Sequence, residues 1–359
     1  MLLFQEKRSL QDDLVVVDVG EHTTKLGFCR GKGSAALLED LQTYEYQKVR
    51  MEERIQEVVD RVASFHARNI AFTFTPSVLK TRVLTHSIRR VYAQNVIDER
   101  EAGELKKSIL REGEEKGKEL IASQTGILPE EFVCVRSAVL GMRIDGYDVE
   151  NLRGFLGETV EFRLSLTFLQ ERVRASLAKS LLSSTMKLQG IDGEASCLEK
   201  ICKDVFLPDA IFVDVGEMGT RFFLFSHGKI LSSGEFKKGG ERYTKIVEQS
   251  LRMSHQNAVE LKRRHGAMQG APEEMQKKLK ELFAPEFRIW KQELLQRLGT
   301  SIIPRKVFFF GGGSMLSGFS ELFPGGSLLL PKHIIPSSSS SPEFTSLALC
   351  ALATILRHE

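Results

Sequence analysis

The sequence predicts an α/β chain of two related domains with mixed sheets and an α+β module inserted into the first, on three observations. The first is a repeat. Leu14–Phe28 (LVVVDVGEHTTKLGF) and Ala210–Phe225 (AIFVDVGEMGTRFFLF) each run from an apolar strand into an acidic residue and a glycine, then into a second β-rich run. The two align, 196 positions apart, as V-D-V-G-E-x-x-T-[K/R] over Val17–Lys25 and Val213–Arg221. The second observation is a change of texture between Ser77 and Gln170, where long alternating runs flank a charged helix. The third is an apolar strand, Lys306–Phe310, that enters Gly311-Gly312-Gly313.

Taken in order, Leu14–Val17 and Lys25–Cys29 form the first hairpin, with Gly31–Gly33 as its flexible exit. Val49–His66 carries Met51, Ile55, Val58, Val59, Val62 and Phe65 near 3.6-residue spacing and reads as a helix, and Asn69–Thr75 is a buried strand closed by Pro76. In the module, Val78–Ile88 alternates as a strand and Asn95–Ser123 is a long charged helix. Phe132–Met142 is a strand ending at the Asp145-Gly146 turn, and Thr159–Leu169 a half-buried strand. Glu171–Leu188 returns as a helix with Val173, Leu177, Leu181 and Leu182 on one face, followed by a short helix over Glu194–Val205.

The second half opens with the second hairpin, from which His227-Gly228 turns the chain into Ile230–Glu235. Helices are expected at Tyr243–Leu251, directly after Gly239-Gly240, and at Asn257–His265, stopped by Gly266. After a linker at Gly270–Pro272 comes a long helix over Glu273–Leu298, with a break expected near Pro285. A short helix over Phe319–Phe323, a serine loop at Ser337–Ser341 and an apolar helix over Glu343–Arg357 complete the chain.

At 359 residues there is length for two domains, and 42% hydrophobic with 27% charged residues is an ordinary globular balance. A net charge of +3 gives no nucleic-acid footprint, and Lys262-Arg263-Arg264 reads as a solvated helix face. The five cysteines form no C-x-x-C pair; Cys29, Cys134 and Cys350 sit in apolar runs as small core residues, which suits a reducing compartment. MLLFQEKRSLQDD is too charged for a secretory signal, and no run reaches the roughly 18 apolar residues of a membrane span.

A carboxylate and a glycine at a hairpin tip suit a magnesium-bound phosphate, with backbone N–H groups facing the anion and the carboxylate reaching the metal through water. Two such tips, one from each half, form a clamp, and the glycines of FFFGGGSMLSG let the backbone approach a base or sugar.

The order of these motifs resembles the actin, sugar-kinase and heat-shock-chaperone ATPase superfamily. VVVDVGEHTTKLGF is similar to its first phosphate motif, IFVDVGEMGTRFFLF to its second, KVFFFGGGSMLSGF to its adenosine motif and SPEFTSLALCALATIL to its closing segment. The inserted module sits where FtsA division actins and PilM pilus-assembly proteins carry an extra subdomain, and RIDGYDVENLRGFLGETVEFRLSLTFL resembles the FtsA segment there. GGERYTKIVEQSLRMSHQNAVELKRRHG is similar to a passage of both families. The resemblance implies an actin-like, ribonuclease H-like fold with an SHS2-like insert. Its domains would be 1–76 with 171–209 (first), 77–170 (insert), 210–240 with 301–359 (second) and 241–300 (helical subdomain).

The same resemblance implies ATP with Mg2+. Asp18, Gly20 and Lys25 would face the phosphates from the first domain, and Asp214, Gly216 and Thr220 from the second. Glu260 and Lys262 would lie by ribose and adenine, Gly311, Gly312 and Gly313 beneath the adenosine, and Asp18 and Asp214 would hold magnesium through water. The second motif departs from the D-x-G-G-G-T-x-D form of strong ATPases: Glu217 and Met218 replace glycines and Arg221 the aspartate. Glu217 would crowd the phosphates, Arg221 would add a cation, and hydrolysis is expected to be weak or absent. No residue that would position an attacking water is identifiable in Gln189–Asp204, and no sugar-kinase base is evident.

Three functions follow as expectations. The first is a PilM-type nucleotide-binding cytoplasmic scaffold at the inner membrane, organising type IV pilus assembly by holding a short peptide of a membrane partner in a groove near the insert. The second is an FtsA-like division actin that polymerises, disfavoured because no amphipathic tail follows the last helix. The third is an interaction scaffold without nucleotide. No nucleic-acid partner and no direct membrane span are expected, and self-assembly is in keeping with the superfamily.

Overall fold

The structure is a computed structural model that describes all residues except 1–13, 31–35, 47–48, 64–67, 205–208, 267–271, 300–302, 317, 336–337, 339–340 and 359. The N-terminal segment, the Gly31–Gly33 exit and most of the Gly270–Pro272 and Ser337–Ser341 segments thus lie outside the described residues. Two compact units emerge: Met1–Pro76 with Leu181–Glu359, and Ser77–Ser180.

The first unit starts with β1 (Leu14–Val19), β2 (Thr23–Arg30) and β3 (Leu37–Glu45), an antiparallel meander, then α1 (Met51–Ala63) and β4 (Asn69–Phe74), which lies parallel to β1. In α1 the helical repeat of Ile55, Val58, Val59 and Val62 is buried, as its spacing predicts.

The second unit contains β5 (Leu79–Arg89), α2 (Glu99–Thr125), β6 (Phe132–Ile144), β7 (Tyr147–Val149) and β8 (Thr159–Gln170), with sheet order β5-β8-β6-β7. Asp98 caps α2 by accepting from Glu101 N at 2.7 Å, and Gly126 ends the helix in the left-handed region. Asp145 and Gly146, both at positive φ, make the expected β6–β7 turn. Phe162, Leu164, Leu166 and Phe168 of β8 face a core shared with Ile109 and Ile121 of α2.

Helix α3 (Glu171–Leu182) starts in this unit and stops six residues before the Leu188 end expected for it. Lys187–Ile191 is instead β9, parallel to β4, a pairing that only the tertiary partner decides. Next come α4 (Glu194–Asp204), β10 (Ala210–Val215), β11 (Thr220–Ser226), β12 (Lys229–Phe236), α5 (Gly240–Leu251), α6 (His255–Gly266) and α7 (Glu273–Leu298), which continues through Pro285. The chain then forms β13 (Val307–Phe310), β14 (Gly326–Leu328) and α8 (Thr345–His358).

The two five-stranded sheets of the first unit have the same topology. Their orders are β3-β2-β1-β4-β9 and β12-β11-β10-β13-β14, each an antiparallel meander followed by two parallel strands. The sequence repeat is therefore a repeat of architecture. Strands β3, β9 and β14 complete the sheets, although none carries a clear apolar alternation of its own.

Two helices cross the boundaries expected for the halves. Helix α8, assigned with the second domain, packs its Leu347, Ala348, Cys350, Ala351 and Ile355 on Leu14, Val16 and Ala71 of the first sheet. Helix α4, assigned with the first, contacts β11 and β12 of the second sheet and α8. The compact unit that holds the module is Ser77–Ser180, while the sequence reading places the module at 77–170. Short apolar helices go to whichever sheet face leaves them least exposed, and local sequence does not specify that face. The second sheet's other face packs Trp290, Phe283 and Phe287 of α7 against Tyr243, Phe309 and Phe319. All five cysteines are free; Cys134 is half-buried and the other four are buried. Among the described residues no helix is long and apolar enough to cross a membrane.

Candidate functional site

The two hairpins match residue for residue. Asp18 stands opposite Lys25 across β1 and β2, and Asp214 opposite Arg221 across β10 and β11. In the first turn Gly20 N donates to Thr23 O at 2.8 Å, and in the second Gly216 N donates to Gly219 O at 2.9 Å. Each tip also has two carbonyls tied back, by different chemistry. The buried Arg54 of α1 donates to Gly20 O and, at 2.6 Å, to Glu21 O. In the second half Gly240 N donates to Gly216 O at 2.9 Å and Glu241 N to Glu217 O at 2.8 Å. A guanidinium in one half thus does the work of a helix N-terminus in the other.

The cations opposite the aspartates are paired. Lys25 Nζ lies 3.8 Å from Asp18 and donates to Glu343 O at 2.6 Å. Arg221 Nη2 lies 3.1 Å from Asp214 Oδ2 and 2.9 Å from Glu194 Oε1, the first residue of α4. Arg221 and Glu194 are only 8% and 2% exposed, so little solvent screens the pair.

The charges of both halves act on one another. Burial pushes the Asp18 carboxyl above the usual carboxylate range; Lys25 opposes the shift and Asp214 adds to it. Burial also pushes Glu194 up, to about 7, against the pull of Arg221 and with the help of Asp214 and Asp18. Burial alone would lower the Arg221 pKa, but Glu194 and Asp214 together hold it above its ordinary value. Three carboxylates and two cations therefore share one polar cluster between the hairpins.

The glycine loop after β13 closes against the second hairpin. Gly311 has φ +82°, and a Cβ there would sit 2.3 Å from Asp214 Oδ1. A Cβ at Gly313 would lie 2.6 Å from Val215 Cγ1, while Gly312 faces open space. Gly239 is as constrained, its absent Cβ falling 2.5 Å from the carbonyl oxygens of Gly216 and Glu217. Lys262 reaches the same place from α6, donating to Gly240 O at 2.9 Å and Thr244 Oγ1 at 2.6 Å. Burial lowers its pKa, against the opposing charges of Glu217 and Glu241.

Asp18, Lys25, Asp214 and Gly311 thus meet in the cluster, with Gly20, Gly216 and Gly313 at or against the tips and Lys262 beside the second. Two expected residues stand elsewhere. Thr220 is buried on the opposite face of β11, where its hydroxyl donates to Lys238 O at 2.6 Å and accepts from Trp290 Nε1 at 2.8 Å. Strand alternation sends it into the helical core once Arg221 points at Asp214, so it faces away from the charged cluster. Glu260 is on the exposed side of α6 in an ion pair with Arg264. Arg221, read from sequence as a partner for phosphate, places its Nη2 on Asp214 and Glu194.

Glu194 and Arg54 escaped the sequence reading. Glu194 follows β9 at the point where strand becomes helix, a position that faces ligands in open α/β sheets. In the sequence the helical pattern expected through Leu188 overlaps the start of β9 and hides that switch. Arg54 carried the weaker signal of a lone charge among the apolar positions of α1.

A hydrated magnesium ion between Asp18 and Asp214 does not fit these side chains. Arg221 holds one oxygen of Asp214, the glycine loop runs so close to the other that a Cβ at Gly311 would lie 2.3 Å from it, and Lys25 stands by Asp18. Among the described residues no three His, Cys, Asp or Glu side chains are grouped to hold a metal. A donor remains for an anion: the buried Nε of Arg221 has no hydrogen-bond partner among the described residues, nor has either oxygen of Glu194, and Gly312 leaves open space at the loop.

No family model matches the chain, and no curated protein matches it in sequence. Solved structures do. Over 95% of this chain and 98% of the other, it is similar to a chain of a PilM–PilN type IV pilus biogenesis complex, with TM-score 0.65 and 17% identity. It is also similar to the ethanolamine utilization protein EutJ from Carboxydothermus hydrogenoformans, over 95% and 89% of the two chains, with TM-score 0.51 and 12% identity. The fold is the two-domain actin-like α/β fold that the paired hairpin motifs led us to expect.

Proposed function

We propose that this chain is an actin-like scaffold of PilM type. In this reading it lies on the cytoplasmic side of the inner membrane, holds a nucleotide between its two hairpin tips, and captures a cytoplasmic peptide of a membrane protein of a pilus or secretion assembly. The observation that carries the reading is the match to a chain of the PilM–PilN complex over nearly the whole of both chains. Two local features support it. The tips, the Gly311–Gly313 loop and Lys262 converge on one place with space open at Gly312. In the insert, an open groove of about 470 Å³ is lined by Val96–Arg100, Arg153 and Gly154, and its loops expose Val91, Tyr92, Phe155 and Leu156. Rapid hydrolysis is not part of the reading, because Arg221 pins Glu194, the carboxylate nearest the switch point.

Two measurements test it. In a thermal-shift titration of the full chain, ATP or ADP at 100 times Kd should stabilise the fold by about 2.7 kcal/mol, or several degrees. No shift at millimolar nucleotide would leave a scaffold without nucleotide. Second, the full chain should be applied to an array of the cytosolic N-terminal peptides of single-span inner-membrane proteins from the same genome. One or a few peptides should bind, and an array with none above background would refute the partner reading.

A further inference from the structure

We propose that Arg221 is the built-in counter-cation of the cleft, so that a nucleoside di- or triphosphate binds there without a divalent metal. The inference rests on the nucleotide-binding reading above and concerns how the charge of that ligand is met.

In the repeat, Arg221 occupies the position that Lys25 has in the first half, each directly across its hairpin from an aspartate. Each carboxylate at a tip therefore comes with its own cation. The second cation does more than the first. Lys25 divides itself between Asp18 and a carbonyl, whereas Arg221 spans two carboxylates on different elements, Asp214 of β10 and Glu194 of α4. Both contacts are made by Nη2, which stands between the two carboxylates. A divalent ion at this place would also bridge carboxylates, and the guanidinium already stands between them.

Two further observations keep a metal out. Oδ1 of Asp214, the oxygen that Arg221 leaves, would lie 2.3 Å from a Cβ at Gly311, so the glycine loop runs close beside it and narrows the space for a water shell. Any ion entering at Asp214 would also stand a few ångströms from a guanidinium that solvent hardly screens. What remains for a phosphate is donor capacity. Arg221 Nε is buried with no hydrogen-bond partner among the described residues, and Lys25 and Lys262 stand at the two tips. Burial raises the carboxyl of Glu194, which favours its neutral form and lightens the negative charge an anion would meet.

The test is isothermal titration of the full chain with ADP and with ATP, each in magnesium chloride and in EDTA. The expected result is dissociation constants that agree within about threefold with and without the metal. Affinity that falls by about tenfold or more in EDTA would overturn the inference and leave nucleotide binding standing. No heat and no thermal shift in either buffer would overturn the nucleotide reading itself. Arg221→Gln supplies the converse: with Asp214 and Glu194 uncompensated, binding should weaken in EDTA and be restored at least in part by magnesium. Metal-independent binding at wild-type affinity in a folded Arg221→Gln chain would also overturn the inference. Should that variant fail to fold, the wild-type comparison decides alone.

Discussion

Arg221 Nη2 lies 2.9 Å from Glu194 Oε1, and the two side chains are almost completely buried. The pair joins the first turn of α4 to the second hairpin, at the place where the duplicated halves bring their charges together. Its energetics differ from those of the many surface pairs in this chain. A buried ion pair gains little over an apolar pair, but loss of one partner strands the other in low dielectric.

Arg221→Met should therefore destabilise the fold by roughly 3–5 kcal/mol. Glu194→Gln combined with Arg221→Met should recover part of that loss, because one of the stranded charges goes with it. Urea denaturation of the wild type, both single variants and the double variant checks this. A double variant that only adds the two single losses would show that the pair is not coupled.

The position of the Glu194 carboxyl sets a pH dependence. Its pKa rises from an ordinary 4.5 to about 7, so between those values the folded chain holds the proton more tightly than the unfolded chain. The sign follows: the Glu194 contribution to stability is highest below pH 4.5 and declines as pH rises to about 7. Asp18, also raised, acts in the same direction. Wild type should lose stability relative to Glu194→Gln by on the order of 2 kcal/mol between about pH 5 and about pH 8. A difference that stays constant across that range would refute it.

Two glycines of one loop should respond unequally. Gly311→Ala must adopt φ near +82° and place its Cβ against the Asp214 carboxylate, so a loss of about 2 kcal/mol or more is expected. Gly312→Ala meets nothing within 4 Å and should melt within a degree or two of wild type. Paired melting curves decide it, and equal losses would mean that the loop does not close on Asp214.

Thr220→Val tests the orientation of β11. Removing the hydroxyl leaves Trp290 Nε1 and the Lys238 carbonyl without their partner, at a cost of about 1–3 kcal/mol. Nucleotide affinity, measured below the melting range, should stay within about twofold of wild type. A selective loss of affinity at unchanged stability would return Thr220 to the ligand side.

Much of the site was legible in sequence because it is local. Asp18 with Lys25 and Asp214 with Arg221 lie seven residues apart across tight turns, so a hairpin reading alone sets them opposite each other. The face of Thr220 was legible by the same alternation, but the superfamily motif, read as a string, put Thr220 and Arg221 on one side. Glu194 was hidden for a different reason. Its place depends on β9, a strand of Lys187–Ile191 that exists because β4 offers a parallel edge.

The sequence by itself determined the duplication, the two hairpins, the glycine loop and the insert, all written in short-range patterns of apolar, acidic and glycine residues. The tertiary structure alone decided which sheet receives α8 and α4, that Arg221 answers Glu194 as well as Asp214, and that Arg54 does for the first tip what the start of α5 does for the second. These depend on pairings between residues far apart in the chain. Burial makes such a pairing strong by removing the solvent that would screen it, and no local pattern records which distant side chain arrives.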